Sequence, residues 1–228
     1  MRFNGWIGIG AVGMALFLSA CGSSGSSNGL SSKSAKQILD ESLAAMKTAK
    51  SVTLTGSITS NGARLGLDLD LTSTGAVGGS INESNEKLDV VVLGSKDYVK
   101  APAAFWESSG HLSSSQAAAI APHWVAVPST LTSSFSSLSL AGLSKSLSTD
   151  NGTLSKVGTK TISGKSSVGV HSSKGGTLWV RSSGDPYPVA ITGTLGTSSA
   201  DVNFSNWNSA PLPVAPKGAL SGMSSAVA

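Results

Sequence analysis

The segment ARLGLDLDLT, residues 63–72, alternates without a break between leucine and other residue types. Because successive side chains of a strand point to opposite faces, this pattern predicts a strand with one apolar and one polar face. Asn61-Gly62 just before it is a strong signal for a tight hairpin, so residues 51–59 are predicted to form the antiparallel partner. A sheet of this kind must bury its apolar face under other elements.

Comparable segments form two groups along the chain. The first group covers residues 51–59, 63–72, 76–81, 87–94 and 97–101. The second group covers residues 153–162, 167–173, 176–181, 187–196 and 200–207. Turn residues separate the segments inside each group, which predicts antiparallel strands joined in chain order.

Helices are predicted before and between the two groups. Ser34 and Gln37 match a capping box at the start of a helix over residues 34–50. The apolar positions of that helix share one face: Ile38, Leu39, Leu43 and Met46. Residues 113–121 are weakly helical, and residues 129–148 combine helical apolar spacing with many serines, which lower helix propensity. The order of elements predicts an α+β fold in which a curved antiparallel sheet packs on helices.

The composition fits one folded domain with a neutral, hydroxyl-rich surface. Of 228 residues, 39% are hydrophobic and only 12% are charged, which is not the low hydrophobicity and high charge of a disordered chain. The net charge of +4 comes from scattered lysines and arginines, so nothing indicates nucleic acid as a partner. A weak attraction to anionic membrane surfaces stays open.

The N-terminus has the pattern of a targeting segment. Arg2 precedes an apolar stretch at residues 6–18, which has the length of a signal-peptide core and is short for a membrane span. The sequence LSAC at residues 18–21 resembles the lipobox of bacterial lipoproteins. The resemblance implies cleavage before Cys21 and a diacylglyceryl group on its thiol, which anchors the protein at the extracytoplasmic face of the cell membrane.

Composition divides the whole chain into four predicted segments. Residues 1–20 are the predicted signal peptide, and the Gly/Ser-rich residues 21–33 are a predicted lipidated, flexible tether. Residues 34–218 form the predicted folded domain, which ends in the proline-rich extended segment PLPVAPKG. Residues 219–228 are predicted to be a disordered tail.

Four segments together resemble the LppX/LprG-type lipoproteins of actinobacteria. They read LAAMKTAKSVTLTGSI, KDYVKAPAAFWES, GTLWVRSSGDPYPVAITGTLG and VNFSNWNSAPLPVAP. The resemblance covers nearly the whole mature chain and implies the LolA/LolB-like fold, a half-barrel of antiparallel strands with helices packed on its concave face. It also implies an apolar cavity that takes up acyl chains, a role in carrying or presenting acylated envelope lipids or lipoglycans, and no cofactor.

Candidate ligand-binding residues follow from this resemblance and from the apolar strand faces. They are Leu67, Leu69, Val90 and Val92 on strands, Phe135 and Leu138 on a covering helix, and Trp106 and Trp124 at a cavity mouth. Both tryptophans lie in segments that read as loops, PAAFWES and PHWVAVP, and residues 108–150 form the predicted lid. For each of these residues, and for Trp179 and Trp207, packed core remains the alternative to a cavity wall.

Enzymatic function has weaker support. His111, His123 and His171 lie in unrelated contexts, so no metal site is predicted. There is no G-x-S-x-G nucleophile motif and no phosphate-binding loop, and the single cysteine is assigned to the anchor. Asp68 and Asp70 are two residues apart on one strand and are predicted to face solvent together.

Two hypotheses therefore lead. The first is a lipid carrier with an apolar cavity, and the alternative is an envelope interaction or structural lipoprotein with a filled core and no ligand. An apolar cavity of many hundreds of cubic ångströms would favour the carrier. An enzyme is third and would require a polar cleft where several histidine, aspartate or glutamate side chains converge.

The assignment of Cys21 makes a direct prediction. The Cys21→Ala substitution removes the thiol that would accept the lipid, so it should abolish metabolic labelling with acyl chains and release the protein from membranes. Labelling followed by membrane fractionation checks this. Membrane attachment that persists without labelling would mean that another feature anchors the protein.

Overall fold

The computed structural model describes residues 27–60, 62–83, 86–94, 96–132, 139–149, 152–195 and 198–222. Eleven strands form one antiparallel sheet. The first group is β1 (Ser51–Ser60), β2 (Ala63–Thr72), β3 (Val77–Glu83), β4 (Glu86–Val92), β5 (Asp97–Lys100) and β6 (Val125–Val127). The second group is β7 (Leu154–Ile162), β8 (Lys165–Ser172), β9 (Thr177–Arg181), β10 (Pro188–Leu195) and β11 (Ser198–Ser205). The predicted α+β fold class is confirmed.

The strand order shows how the two groups become one sheet. It runs β6-β5-β4-β3-β2-β1-β11-β10-β9-β8-β7, so each group is a meander, as predicted, and the first strand pairs with the last. Eight residue pairs join β1 to β11, from Thr53 opposite Ser205 to Ser60 opposite Ser198. The sheet is curved and does not close, because β6 and β7 remain its two edges.

Gly56 lies at the centre of the β1–β11 junction. Its φ of 134° is a conformation that residues with a side chain rarely adopt, and a Cβ at this position would stand 2.1 Å from the carbonyl oxygen of Asp201. Gly79 on β3 has the same conformation against Asp68 of β2. Glycines within strands permit bends and close backbone approach, so these two positions allow the sheet to curve.

The helices are short except for the first. They are α1 (Ala35–Thr48), α2 (Ala103–Ser109), α3 (Ser114–Ile120), α4 (Ser129–Thr132) and α5 (Leu140–Ser148). The predicted capping box at α1 is confirmed, since the Ser34 hydroxyl accepts from the Gln37 amide and the Gln37 side chain accepts from the Ser34 amide. The same arrangement joins Ser113 and Gln116 at the start of α3.

Two segments expected to be loops are regular structure. The segment PAAFWES contains α2, and PHWVAVP contains β6. Both elements are too short to show a periodic pattern, and contacts distant in sequence stabilise them: Trp106 of α2 is completely buried, and β6 pairs with β5. Within residues 129–148, α4 and α5 are helical, and residues 133–138 lie outside the described residues.

The helices cover the apolar face of the sheet, which is the concave face. One core cluster joins the leucine and valine positions of β1–β6 and β11 to α1, α2 and α3. A smaller cluster joins the start of α1 to Val168 and Val170 of β8 and to Leu178 and Val180 of β9. Among the described residues, no helix is both long and apolar enough to cross a bilayer.

The folded part begins before residue 34. Asn28 is held on the turn between β9 and β10, because its amide nitrogen Nδ2 donates to the carbonyls of Arg181 and Gly184 at 3.0 and 2.9 Å. Leu30, in a 3₁₀ turn over Leu30–Ser32, is completely buried in the smaller core cluster. Residues 27–33, which their composition assigned to the tether, are therefore part of the body. The contacts of Asn28 and Leu30 attach them to it.

The C-terminal segment covers one edge of the sheet. The amide of Leu220 donates to the carbonyl of Trp124 at 2.8 Å, and Leu220 lies opposite Val125 as a parallel bridge to β6. Residues 219–222, assigned to the disordered tail, are thus held on the edge strand, and residues 223–228 lie outside the described residues. At the other edge, a bulge between Lys156 and Thr159 interrupts the pairing of β7 with β8.

Gly56 provides a stability test. Gly56→Ala forces a side chain against the β11 backbone, so we expect the free energy of unfolding to fall by about 2 kcal/mol or more. Gly66→Ala on β2 is the matched control, since its nearest neighbour would be an ordinary contact at 3.4 Å and its φ is negative; we expect a change within about 0.5 kcal/mol. Urea denaturation measures both, and equal losses would contradict the assigned role of Gly56.

Candidate functional site

An apolar cavity of about 800 Å³ lies between the sheet and the helices α1 and α5. Its walls come from both meanders and from both helices. Strands of the first meander contribute Leu54, Ile58, Leu67 and Leu71, and strands of the second contribute Leu154, Val170, Leu178, Ile191, Ala200, Val202 and Phe204. The helices contribute Leu39, Leu143 and Leu147. Small-molecule sites typically have volumes of about 300–1,000 Å³, and this cavity falls in that range.

The cavity has a closed side and an open side along the strand direction. We call the near end of the sheet the end at which β2, β4, β7, β9 and β11 finish and β1, β3, β5, β8 and β10 begin, and the far end the opposite end, which includes the turn 173–176. Lining residues such as Leu71 and Phe204, which lie toward the near end of their strands, are buried. The cavity opens at the far end.

Polar residues form the rim of this opening. Ser146 and Thr149 at the end of α5 and Lys174 in the turn between β8 and β9 are the exposed members of the lining. Ser172 and Thr177 flank that turn, and the imidazole Nδ1 of His171 lies 3.3 Å from the Thr177 hydroxyl. The site therefore combines an apolar interior with a mouth that carries hydroxyl groups and one ammonium group.

The strand residues proposed from sequence are divided between this cavity and the filled core. Leu67 lines the cavity wall. Leu69, Val90 and Val92 face the same side of the sheet but lie in the core cluster that contains Trp106 of α2 and Ile120 of α3. None of these three residues lines the cavity, although Leu69 lies on β2 between the lining residues Leu67 and Leu71, and Leu67 belongs to the same core cluster.

The tryptophans proposed for the mouth also lie elsewhere. Trp106 is completely buried and its indole nitrogen donates to the carbonyl of Ala101 at 3.1 Å, which is a core role. Trp124 is half-buried beside β6 and contributes no atom to the cavity lining. Phe135 and Leu138 lie outside the described residues.

The two other tryptophans considered from the sequence, Trp207 and Trp179, are held on the sheet by hydrogen bonds. Trp207 stacks on Tyr187 with ring centroids 4.5 Å apart and donates to the carbonyl of Pro188. Trp179 is half-buried, and its indole nitrogen donates to the Thr192 hydroxyl at 3.1 Å. Neither lines the cavity.

Most of the cavity wall comes from the second meander, where no residue was selected from the sequence. Leu178, Ile191, Ala200 and Val202 all follow the alternation that predicted the strands. That signal identifies them as inward-facing, but it does not say which inward positions lack a covering helix. Because β1 pairs with both β2 and β11, Gly56 lies between Leu67 and Val202, and this places Val202, Ile191 and Leu178 in one row across the sheet with Leu67, although they come more than a hundred positions later in the chain.

Polar side chains do not converge in the cavity. Asp68 is exposed on the outer face, and the neighbouring carboxylate of Asp70 accepts from the Thr53 hydroxyl at 2.6 Å. Within the described ranges, no group of three or more histidine, cysteine, aspartate or glutamate side chains is placed to hold a metal ion. The chemistry that this arrangement supports is reversible binding of an apolar group.

Solved structures share this fold. The crystal structure of the lipoprotein LppX from Mycobacterium tuberculosis aligns with a TM-score of 0.52 at 22% sequence identity, covering 79% of this chain and 99% of LppX. LprF from Mycobacterium bovis aligns with a TM-score of 0.56 at 16% identity, covering 81% of this chain and 97% of LprF. No protein-family model and no curated protein matches the chain. The predicted resemblance is thus confirmed in the structure, at the level of the fold.

Two alanines on neighbouring strands test whether the cavity is empty space. Ala200 lines the cavity, whereas Ala190 is 1% exposed and lies outside it. Ala200→Leu should change the free energy of unfolding by less than about 1 kcal/mol, because the added methyl groups enter free volume, while Ala190→Leu should cost about 1–3 kcal/mol through overpacking. Chemical denaturation of both variants measures the difference. Equal costs would show that the space at Ala200 is filled in solution.

Proposed function

We propose that this chain is a membrane-anchored extracytoplasmic lipoprotein that binds acylated envelope lipids or lipoglycans in its cavity and carries or presents them. The observation that carries the proposal is the cavity of about 800 Å³ whose interior is lined by leucine, isoleucine, valine and phenylalanine side chains. A filled interior would have favoured the alternative of an interaction lipoprotein without a ligand. No covalent chemistry is needed for uptake and release.

The energetics of such a site are sufficient for specific binding. Each methylene group moved from water into an apolar interior contributes about 0.8 kcal/mol, so a dozen methylenes contribute about 10 kcal/mol before the costs of association. Those costs are of the order of 4–15 kcal/mol, so one short chain binds weakly and longer or multiple chains bind well. The apolar walls therefore select for acyl chains rather than for small polar metabolites.

The rim determines what kind of molecule can be attached to the acyl chain. Because the mouth carries Ser146, Thr149 and Lys174, a polar head group can remain hydrated outside while the acyl chain is buried. A head group of large size, such as a glycan, would then lie in solvent. This division between an apolar interior and a polar mouth supports amphiphilic lipids as the ligand class.

The anchor belongs to the same proposal. LSAC at residues 18–21 provides a lipidation site at Cys21, and Ser27, six positions later, already pairs with Ser183 of the body. The shared fold with LppX, which is itself a lipoprotein, supports this assignment. A chain held at the membrane by lipid on Cys21 would keep its binding site close to a source of acylated lipids.

Blocking the cavity tests the function. Ala200→Trp places an indole in the cavity, and Ser199→Trp, its neighbour on the outer face of β11, is the matched control. Purified protein should carry lipid that organic extraction and mass spectrometry detect, and a fluorescent fatty-acyl probe should bind at least about tenfold more weakly to Ala200→Trp than to Ser199→Trp. Absence of co-purified lipid together with absence of probe uptake by the unsubstituted protein would refute the proposal.

A further inference from the structure

We propose that the near end of the body docks on the anionic lipid surface of the membrane that holds the anchor, so that the cavity opens away from that membrane. The inference rests on the proposed function for the lipid anchor on Cys21 and for the mouth of the cavity, whereas the distribution of charge is independent of both. Three independent features carry the inference: where the N-terminal segment meets the body, how the charged residues are distributed, and where the cavity opens.

The N-terminal segment enters the body at the near end. Ser27 pairs with Ser183, in the turn between β9 and β10, and the backbone N–H of Asn28 donates to the carbonyl of Ser182 at 3.1 Å. The two further bonds from the Asn28 side chain hold the segment on the same turn. The attachment is part of the folded body, so the point from which the chain leads back to Cys21 is fixed relative to the sheet.

The distance from this point to the anchor is short. Six residue steps separate Cys21 from Ser27, and a fully extended chain covers about 3.3–3.6 Å per residue, so Ser27 stays within about 20 Å of the lipidated residue. The strand β8 alone, from Lys165 to Ser172, spans about 25 Å between the near and far ends. If the far end of the body lay on the membrane, Ser27 would be farther from the membrane surface than the six residue steps back to Cys21 can reach.

The near end is also the more basic end of the sheet. Its exposed lysines lie in or beside the near-end turns and the junction of α1 with β1: Lys47, Lys50, Lys96 and Lys165. The acidic residues described at this end are Asp97, which is buried, Asp185, which is exposed, and Glu41 of α1, which lines a cleft with Asp185 and forms an ion pair with Lys33.

The far end lacks this bias. Its strand ends and turns carry Arg64, Lys87, Lys100 and Lys174. Glu83 and Glu86 lie among these cations, and Lys87 forms an ion pair of 2.8 Å with Asp89. Basic residues near an anionic membrane surface each add attraction, and three lysines together can bias orientation by about a hundred-fold at low salt. The near end is thus the surface with the charge to contact anionic head groups.

In this orientation the near and far ends of the body have different roles. The near end, with its attached chain and lysines, contacts the lipid surface, and the rim at Ser146, Thr149 and Lys174 lies on the opposite side of the body. A lipid leaving the cavity in this orientation is presented to an acceptor facing the membrane from across the envelope. Lipid uptake directly from the anchoring membrane would require the near-end lysines to leave the membrane surface and the body to tilt.

Single-cysteine labelling tests the orientation, because the described body contains no cysteine. The lipidated protein is prepared with a donor fluorophore at Ser73→Cys on the near end or at Thr194→Cys near the far end, and is reconstituted into vesicles with acceptor dye on the lipid head groups. In phosphatidylcholine vesicles that contain phosphatidylglycerol, we expect much stronger energy transfer from residue 73 than from residue 194. High salt should reduce this difference.

Matched charge variants test whether the near-end lysines cause this orientation. Replacing Lys50, Lys96 and Lys165 with glutamine should lower the difference in energy transfer between labels 73 and 194 to the value in pure phosphatidylcholine vesicles. Replacing Arg64, Lys87 and Lys100 with glutamine should leave that difference unchanged. Equal transfer from both labels, equal effects of the two variants, or failure of the protein to associate with these vesicles would overturn the docking proposal. Uptake of a fluorescent acyl probe, measured in the same samples, reports separately on the cavity: no uptake with the orientation retained would refute the lipid-binding function alone.

Discussion

The pairing of β1 with β11 is the contact on which the rest of the structure depends. Without it, residues 51–127 and 154–205 would form two separate meanders rather than one sheet. Eight residue pairs join strands that are about 150 positions apart, and Gly56 lets the two backbones approach at the centre of the junction. The cavity lies across this junction, so its walls exist only when the two meanders form one sheet.

The cavity results from uneven coverage of a single apolar face. Over strands β3–β6, α2 and α3 supply Trp106 and Ile120, and the interior is filled. Over the junction and the second meander, α1 and α5 supply mainly leucines and leave a volume of about 800 Å³. Similar strand surfaces thus have opposite roles, solid core on one side and ligand space on the other, because different helices lie above them.

This difference explains how far the sequence predicts the structure. Alternation along residues 63–72 and the capping box at Ser34 depend on neighbouring residues, and both strand and helix follow the prediction. The position of the cavity depends on which helix covers which strand, so Leu67 of β2 and Val90 of β4 look equivalent in sequence, but only Leu67 lines the cavity. Short elements such as α2 and β6 were missed because distant contacts, rather than local pattern, stabilise them.

The two edges of the open sheet have a consequence for the behaviour of the chain in concentrated surroundings. An unpaired edge strand offers hydrogen-bonding groups that recruit strands from other molecules, which leads to aggregation. Here Leu220 bridges to β6 at one edge, and at the other edge β7 is bulged and carries Lys156 and Lys160 on its exposed length. The sheet can therefore stay unclosed, as a hollow half-barrel requires, without adding strands from neighbouring copies to either side.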